Sequence, residues 1–262
     1  MRVGLITPDA GHPLLAATAA LLAPEHEVRV LDPEAGAAAA AGARADVYLL
    51  KARTPSALAL ARELERRGAP VLNSAAATGR CQDRTGMAEL ARRAGLPFAA
   101  TRTFGSLAEA GASEQPAWPV VVKSRHSRKH DLVARVDGPA GLRELAAAGW
   151  EREPVVVQPF TPNSGWDHKL WVIGDRVFTG LRQSELATGP EEPGRFPGRL
   201  PGGVDELALR VGAVFALDVY GVDVITTADG DPLIVDVNAF PGVRGQAGAP
   251  EALAALALRR AR

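Results

Sequence analysis

The first seventy residues alternate short apolar runs with amphipathic stretches. Residues 2 to 7 (Arg-Val-Gly-Leu-Ile-Thr) and Glu27 to Leu31 read as strands, with a helical stretch from Leu14 to Leu22 between them. Asp46 to Leu50 is a third strand and Pro70 to Leu72 a short fourth. The helix between them, Pro55 to Arg67, carries Leu58, Leu60 and Leu64 on its apolar side. Strands alternating with helices imply a parallel sheet with helices packed on its faces, a Rossmann-like unit. Its first turn, Thr7-Pro-Asp-Ala-Gly-His-Pro13, lacks the Gly-x-Gly-x-x-Gly that cradles a dinucleotide, so no nucleotide is assigned to it. Ala35 to Ala45 is low-complexity and reads as a loop or loose helix.

The pattern then changes. Asn73-Ser74 is a helix N-cap signal, and Asp83 to Ala94 forms an amphipathic helix ended by Gly95 and Pro97. Phe98 to Phe104 and Pro119-Val-Val-Val-Lys123 are strands on either side of a short helix near Ser106 to Gly111. Leu132 to Val136 is the returning strand, Ala140 to Ala148 a helix, and Pro154-Val-Val-Val-Gln-Pro-Phe160 a further strand. Two antiparallel pairs with a helix make a small α+β lid. The remainder holds a hairpin, a linker rich in Gly and Pro from Gly189 to Gly203, a helix from Val204 to Leu217, a second hairpin, and a helix from Pro250 to Arg260. The expected units are residues 1–96, 97–158 and 159–262.

The second hairpin carries the most chemistry. Val222 to Thr227 and Leu233 to Val237 flank Asp229-Gly230, a dipeptide suited to a two-residue type I′ turn. Counting outward from Ala228 opposite Asp231 sets Asp223 opposite Asp236, with Asn238 on the same face. Opposed Cβ atoms lie about 5 Å apart, and like charges there are destabilising unless neutralised. Two carboxylates and a carboxamide oxygen are hard ligands that suit Mg²⁺. The bland alternative is a solvated hairpin with one Asp protonated or the two spread apart. In the first hairpin a turn at Gly174-Asp175 sets Asp167 opposite Arg182 and leaves Lys169 on their face, which a cross-strand salt bridge alone would explain. Lys123 ends an apolar strand beside Ser124-Arg-His-Ser-Arg-Lys-His130, a basic run that is either a solvated face or a loop that closes over an anion.

Composition removes several function classes. Lys plus Arg and Asp plus Glu are 30 each, so nothing recommends nucleic acid or a membrane as partner. No window is long and apolar enough to span a bilayer, and Met1-Arg2-Val3-Gly4-Leu5 leads into a strand rather than a signal peptide, which points to the cytoplasm. The single cysteine, Cys81, excludes an internal disulfide and a cysteine-based metal cluster. With no base beside it, it reads as a bystander.

Taken in order, these pieces resemble an ATP-grasp enzyme. The resemblance rests on Asn73-Ser74 with Gln82-Asp83-Arg84, Val120-Val-Val-Lys123, Val155-Val-Val-Gln-Pro-Phe160, Asp167-His-Lys-Leu-Trp-Val-Ile-Gly174, Arg182, Gly221-Val-Asp223 and Asp236-Val-Asn238-Ala-Phe-Pro-Gly242. It covers about residues 70 to 250 and implies an α/β and α+β ATP-grasp fold behind a Rossmann-like preATP-grasp domain. Two branches fit, RimK-like carboxylate-amine ligases and ATP-grasp inositol polyphosphate kinases, the latter through the Asp-x-Asn-Ala-Phe-Pro-Gly ending.

The resemblance implies ATP and two Mg²⁺ ions, with Mn²⁺ as a substitute, held by Asp223, Asp236 and Asn238. Arg84 and Lys123 would meet the α- and β-phosphates, and Gln158 and Phe160 the adenine. His130 would sit in the loop that closes over ATP or an anionic substrate, aligned with a substrate histidine of the inositol kinases. Lys169 and Arg182 would serve the transferring γ-phosphoryl group, where cations aimed at developing charge are the main protein contribution. Three departures stand out: Pro159 where the family is usually acidic, no glycine in the Ser124 to His130 flap, and Gly198-Arg-Leu-Pro-Gly-Gly203 where RimK-like ligases carry Arg-x-Asn. The implied activity is carboxylate-amine ligation through an acylphosphate, releasing ADP and phosphate. Its substrates would be a small-molecule or peptide carboxylate and an amine, and a homodimer is the common state. Phosphorylation of a small-molecule hydroxyl and a non-catalytic nucleotide-binding module are the alternatives.

Overall fold

In a computed structural model, residues 1–35, 44–114, 117–184, 186 and 202–261 are described. Strands β1 (Arg2–Ile6), β2 (Glu27–Leu31), β3 (Val47–Leu50) and β4 (Val71–Leu72) form a parallel sheet in the order β2-β1-β3-β4. Helices cover both of its faces, which is why β1 and β3 read as unbroken apolar runs. Helix α1 (Pro13–Leu22) packs Leu14, Leu15 and Leu22 on one side. On the other, α2 (Pro55–Arg66) starts at Thr54, whose hydroxyl accepts the Ala57 N–H, and buries the expected Leu58, Leu60 and Leu64. All four strands fall within a residue of their expected places. Most of the low-complexity stretch Ala35 to Ala45 lies outside the described residues.

Two short helices lead on, α3 (Ala75–Arg80) and α4 (Arg84–Arg93). Ser74 caps α3 by accepting the Ala77 N–H. Asn73 does something the N-cap signal did not announce: fully buried, its amide donates to Val219 O at 2.6 Å and accepts the N–H groups of Asp218 at 2.7 Å and Val219 at 2.8 Å.

The lid sheet is antiparallel: β5 (Arg102–Phe104), β6 (Val120–Ser124), β7 (Val133–Val136) and β8 (Val155–Pro159), ordered β5-β8-β6-β7. Its own core joins Val120, Val122, Val155 and Val157 to Leu107 of α5 (Leu107–Ala112) and Leu142 of α6 (Pro139–Leu145). The strand expected from Phe98 begins only at Arg102. Its first residues are captured by Ile234, whose N–H bonds Pro97 O at 2.7 Å and whose carbonyl accepts the Ala99 N–H at 2.9 Å. The helix expected to run to Ala148 gives way at Ala146 to a wider turn ending at Trp150, with Gly149 at φ 98°.

A third sheet, also antiparallel, is ordered β10-β9-β11-β12 from β9 (Trp166–Ile173), β10 (Arg176–Gln183), β11 (Val219–Thr226) and β12 (Pro232–Ala239). The first hairpin turns at Gly174-Asp175 as expected and sets Asp167 opposite Arg182. The second does not use a two-residue turn. Gly230, at φ 89°, donates to Thr227 O at 3.0 Å while Thr227 N–H bonds Asp231 O at 2.9 Å, so the loop is Ala228 to Gly230. Only Gly230 takes positive φ, so Asp229 is spared the left-handed conformation a type I′ turn demands. A bulge between Asp223 and Val224 then shifts the register back, and Asp223 faces Asp236 after all.

One face of this sheet packs on α4 and α7 (Val204–Phe215) through Met87, Ala91, Ala208, Val211 and Phe215. Helix α7 stops short of the expected Leu217 because Ala216 turns left-handed at φ 55°. Helix α8 (Ala249–Arg260) returns to lie beside α1 on the first sheet, in a core shared with Ile173, Phe178, Val219 and Phe240. The first and third sheets are thus joined through packed side chains. The Gly189 to Gly203 linker lies outside the described residues except at Gly202 and Gly203.

Candidate functional site

Strand alternation decides what faces the space between the lid and the third sheet. On β6, Val120 and Val122 enter the lid core, so Val121 and Lys123 point the other way. On β11 and β12, Val222, Val224, Ile234 and Val237 are core, which leaves Asp223, Ile225, Leu233 and Asp236 facing out. Those outward residues line one cleft. At one end lie the apolar groups of Ala99, Val121, Phe160, Ile225 and Leu233, while Val133 lines the cleft opposite Lys123. At the other lie Arg84, Lys123, Asp167, Lys169, Arg182, Asp223 and Asp236. Eight of the residues singled out from sequence are therefore brought together. His130 and Asn238 do not line the cleft: His130 sits in the basic loop with φ 58°, and Asn238 lies further along β12, opposite Gly221.

At the charged end each carboxylate of the opposed pair has its own cation. Lys169 Nζ lies 2.8 Å from Asp223 Oδ2 and 3.8 Å from Asp167 Oδ2, and Arg84 Nη2 lies 3.5 Å from Asp236 Oδ2. Burial pushes the Asp223 carboxyl above its ordinary value; Lys169 opposes that shift and Asp236 reinforces it. Lys123, also buried, donates to the carbonyl of Val235, the bulged residue, at 2.8 Å. Burial pulls its ammonium down, with the attraction of Asp236 working against the shift.

Arg84 is committed more fully than the sequence suggested. Its Nη1 donates to Ser124 O at 2.8 Å and to Asp131 Oδ2 at 2.7 Å, so it ties the lid to the third sheet. Asp131, next to the basic run, gave no local sign of this role. The basic loop is also anchored. Arg125 grips Asp83 at 3.0 and 3.1 Å, Arg128 reaches Glu153 at 2.6 Å, and Ser127 N–H bonds Gln82 O at 2.9 Å. These arginines are held by carboxylates outside the cleft lining, which a charge run alone cannot reveal.

At the apolar end Gln158 donates to Thr101 Oγ1 at 3.0 Å, and the Arg135 guanidinium stacks 4.2 Å from the centre of the Phe160 ring. The Phe160 N–H is taken by Pro119 O at 3.0 Å, and Pro159 has none to offer. The buried Cys81 thiol is pushed up to about 12, chiefly by burial, which makes it a poor nucleophile. Among the described residues no group of three or more His, Cys, Asp or Glu side chains could hold a metal ion, and no helix is long and apolar enough to cross a membrane.

Comparison with known proteins identifies the family and the fold. Residues 110–250 match the family model of the RimK-like ATP-grasp domain. No curated protein matches the chain in sequence. Among solved structures, a RimK domain ATP-grasp protein from Sphaerobacter thermophilus superimposes with a TM-score of 0.77 at 25% identity, over 98% of this chain and 100% of its own. The ATP-grasp ligase PsnB, complexed with a minimal precursor, Mg and ADP, gives 0.69 at 17% identity over 100% and 98%. D-alanine–D-alanine ligase from Bacillus anthracis gives 0.70 at 16% over 100% and 96%. The mixed α/β architecture is thus that of ATP-grasp structures, and the chain belongs to the RimK-like ATP-grasp family.

Proposed function

We propose that this chain is an ATP- and Mg²⁺-dependent ligase that joins a carboxylate to an amine and releases ADP and phosphate. The observation that carries the reading is one cleft lined by both apolar and charged groups, where an opposed aspartate pair held by Lys169 and Arg84 shares the lining with Lys123 and Arg182. A nucleoside triphosphate has the same division between a flat apolar base and a polyanionic tail. The ligase structures with which the chain shares its fold support the same choice, PsnB with Mg and ADP among them.

The donor set suits Mg²⁺: two carboxylates from adjacent strands with the Asn238 carboxamide further along, which leaves room for water and phosphate oxygens. Asp223, Asp236 and Asn238 would hold the ion, which supplies charge neutralisation to the phosphates. The apolar end would take adenine between Val121, Phe160, Ile225 and Leu233. With Phe160 N–H already bonded, packing would contribute more to base recognition than a backbone pair. Lys123 would meet the inner phosphates. Arg84 would fix the lid over them through Asp131 and Ser124, acting as a positioning residue. In the first step an acceptor carboxylate oxygen attacks the γ-phosphorus and ADP leaves. Lys169 and Arg182 offset the charge that develops on the equatorial oxygens. The amine nitrogen then attacks the acyl carbon, phosphate departs, and the nitrogen gives its proton to solvent. The catalytic machinery belongs to the segments 97–158 and 159–262.

The test is hydroxylamine trapping with ATP, Mg²⁺ and a pool of amino acids and dicarboxylic acids. Hydroxamate and phosphate should form only when a carboxylate is present, and Asp236→Asn should lower the rate at least a hundredfold with its circular dichroism unchanged. Label from γ-³²P-ATP appearing in a stable phosphomonoester would make the protein a kinase. ATP held without turnover in every mixture would make it a binding module.

A further inference from the structure

The parallel sheet has a topological switch point. From β1 the chain leaves to one side to form β2, then returns to the other side of β1 to form β3. The loops after β1 and β3 therefore diverge from adjacent strand ends, and open parallel sheets bind ligands in the crevice such divergence creates. Here the first loop carries Asp9 and His12, and the second carries Lys51 and Arg53. Facing them is the segment that follows β12, Phe240 to Arg244.

We propose that this crevice is a subsite for a second anionic group of the acceptor, a carboxylate or a phosphate, held by His12, Lys51, Arg53 and Arg244. The inference rests on the ligase reading above, which places the acceptor next to the γ-phosphate.

The geometry is that of three cations gathered with His12, whose imidazole burial and the nearby Lys51 hold toward its neutral form. A Cβ built on Gly242 would lie 3.4 Å from His12 Nε2 and 3.8 Å from Arg244 Nε, so both side chains close over a bare Cα. Lys51 Nζ lies 5.8 Å from the centre of the Phe240 ring, and Arg53 Nη1 reaches Ser127 Oγ at 3.5 Å. Among the described residues no carboxylate forms an ion pair with Lys51, Arg53 or Arg244. Asp9, the acid in the neighbourhood, accepts the Gly11 N–H at 3.0 Å. The His12 Nδ1 atom is buried without a hydrogen-bond partner. Like charges gathered together are unfavourable, and Lys51 records it: burial first, then Arg53 and Arg244, lower its ammonium below the ordinary value, with the attraction of Asp9 working against the shift. Helix α1, which begins at Pro13, turns the positive end of its dipole to the same crevice.

The position fits an acceptor. Gly242 is four residues beyond Asn238, so the two Cα atoms are at most about 14 Å apart. A molecule of a few carbon atoms spans from the reacting carboxylate at the metal end to this crevice.

Isothermal titration with two probes, glutarate and inorganic phosphate, tests the proposal at fixed ionic strength. It is run on wild type, Lys51→Met, Arg244→Met and Arg244→Lys, with and without saturating Mg·AMPPNP to block the cleft. Wild type should bind at least one probe saturably in the presence of nucleotide. Each Met variant should bind it at least tenfold more weakly, Arg244→Lys should retain most of the affinity, and AMPPNP affinity should stay within twofold throughout. Preference for glutarate assigns the subsite to a carboxylate, and preference for phosphate to a phosphorylated acceptor. No saturable anion binding, or Met variants that bind like wild type, overturns the proposal. Failure to bind AMPPNP would sink the ligase reading instead, while the titration without nucleotide still reports on the crevice.

Discussion

Replacing Asn73 with Ala removes one side chain from the seam between the first and third sheets, and its cost follows from three bonds. The Val219 carbonyl also accepts the Phe240 N–H at 2.8 Å, so losing the Asn73 amide leaves it paired. The N–H groups of Asp218 and Val219, at 2.7 and 2.8 Å from Asn73 Oδ1, both lose their acceptor, the Val219 N–H in a fully buried place and the Asp218 N–H in a half-buried one. A buried orphan costs about 1–3 kcal/mol and the half-buried one about 1 kcal/mol, so the variant should lose about 2–4 kcal/mol. With an m value of about 3 kcal/mol/M for a chain of this size, the urea midpoint should fall by about 1 M. Because Asn73 joins two sheets, hydrogen exchange at Asp218 and Val219 should speed up more than elsewhere in β11. A midpoint shift below about 0.3 M, or unchanged exchange at those two amides, would refute the reasoning that these bonds hold the seam.

Gly212→Ala would put a Cβ 2.2 Å from the Tyr220 hydroxyl, which donates to Ala208 O at 2.8 Å. Overpacking and the strained bond should together cost about 2–4 kcal/mol, read as a fall in Tm of several degrees; an unchanged Tm would contradict the close packing of α7 on β11. Hydrogen bonds from Arg125 hold the Asp83 carboxyl below its ordinary value of 3.8, so the unfolded chain binds this proton more readily. The stability it adds is fully present above that value and is lost as pH falls through the lower folded one. Asp83→Asn should therefore destabilise by a constant amount above pH ~5 and progressively less in acid, as urea melts across pH would show. Lys169→Met leaves Asp223 opposite Asp236 without its nearest cation, which should cost about 2–3 kcal/mol given their partial exposure, and added Mg²⁺ should restore more stability to the variant than to wild type. Equal Mg²⁺ effects on the two melts would argue against metal binding at the pair.

Period-two alternation along β11 and β12 carried most of the legible signal, because a strand buried on one face reveals the other. It set Asp223, Asp236 and Asn238 on one face, of which the two aspartates line the cleft, whereas the place of Lys123 came from the family resemblance. The pairing of Asp223 with Asp236 was reached through a wrong turn: the loop has one more residue than Asp229-Gly230 suggested, and the bulge at Val235 compensates. Turn chemistry is local and reads poorly when a bulge lies several residues away. Long-range polar bonds left no trace in sequence at all. Asn73 reaches Val219 and Arg84 reaches Asp131 across sequence separations that no periodicity samples. The capture of Ala99 by Ile234 shortened β5 for the same reason.

The opposed aspartates pose a charge problem that the fold answers from two directions. Lys169 comes from β9, the neighbour of β11, and the register that pairs Asp223 with Lys169 places its ammonium beside the first carboxylate. Arg84 comes from the first turn of α4 and meets the second, while also bonding Asp131 of the lid. The pair is thus held by side chains anchored in two different elements, β9 and α4. In the proposed site a divalent ion between Asp223 and Asp236 would take over the work of Lys169. That ammonium would then be set free on the face it shares with Asp167, beside Arg182, where the proposed mechanism needs a cation. Sequence spacing put Lys169 on that face. Only the cross-strand register of β9 with β11 puts it against Asp223, where the proposed ion would compete with it.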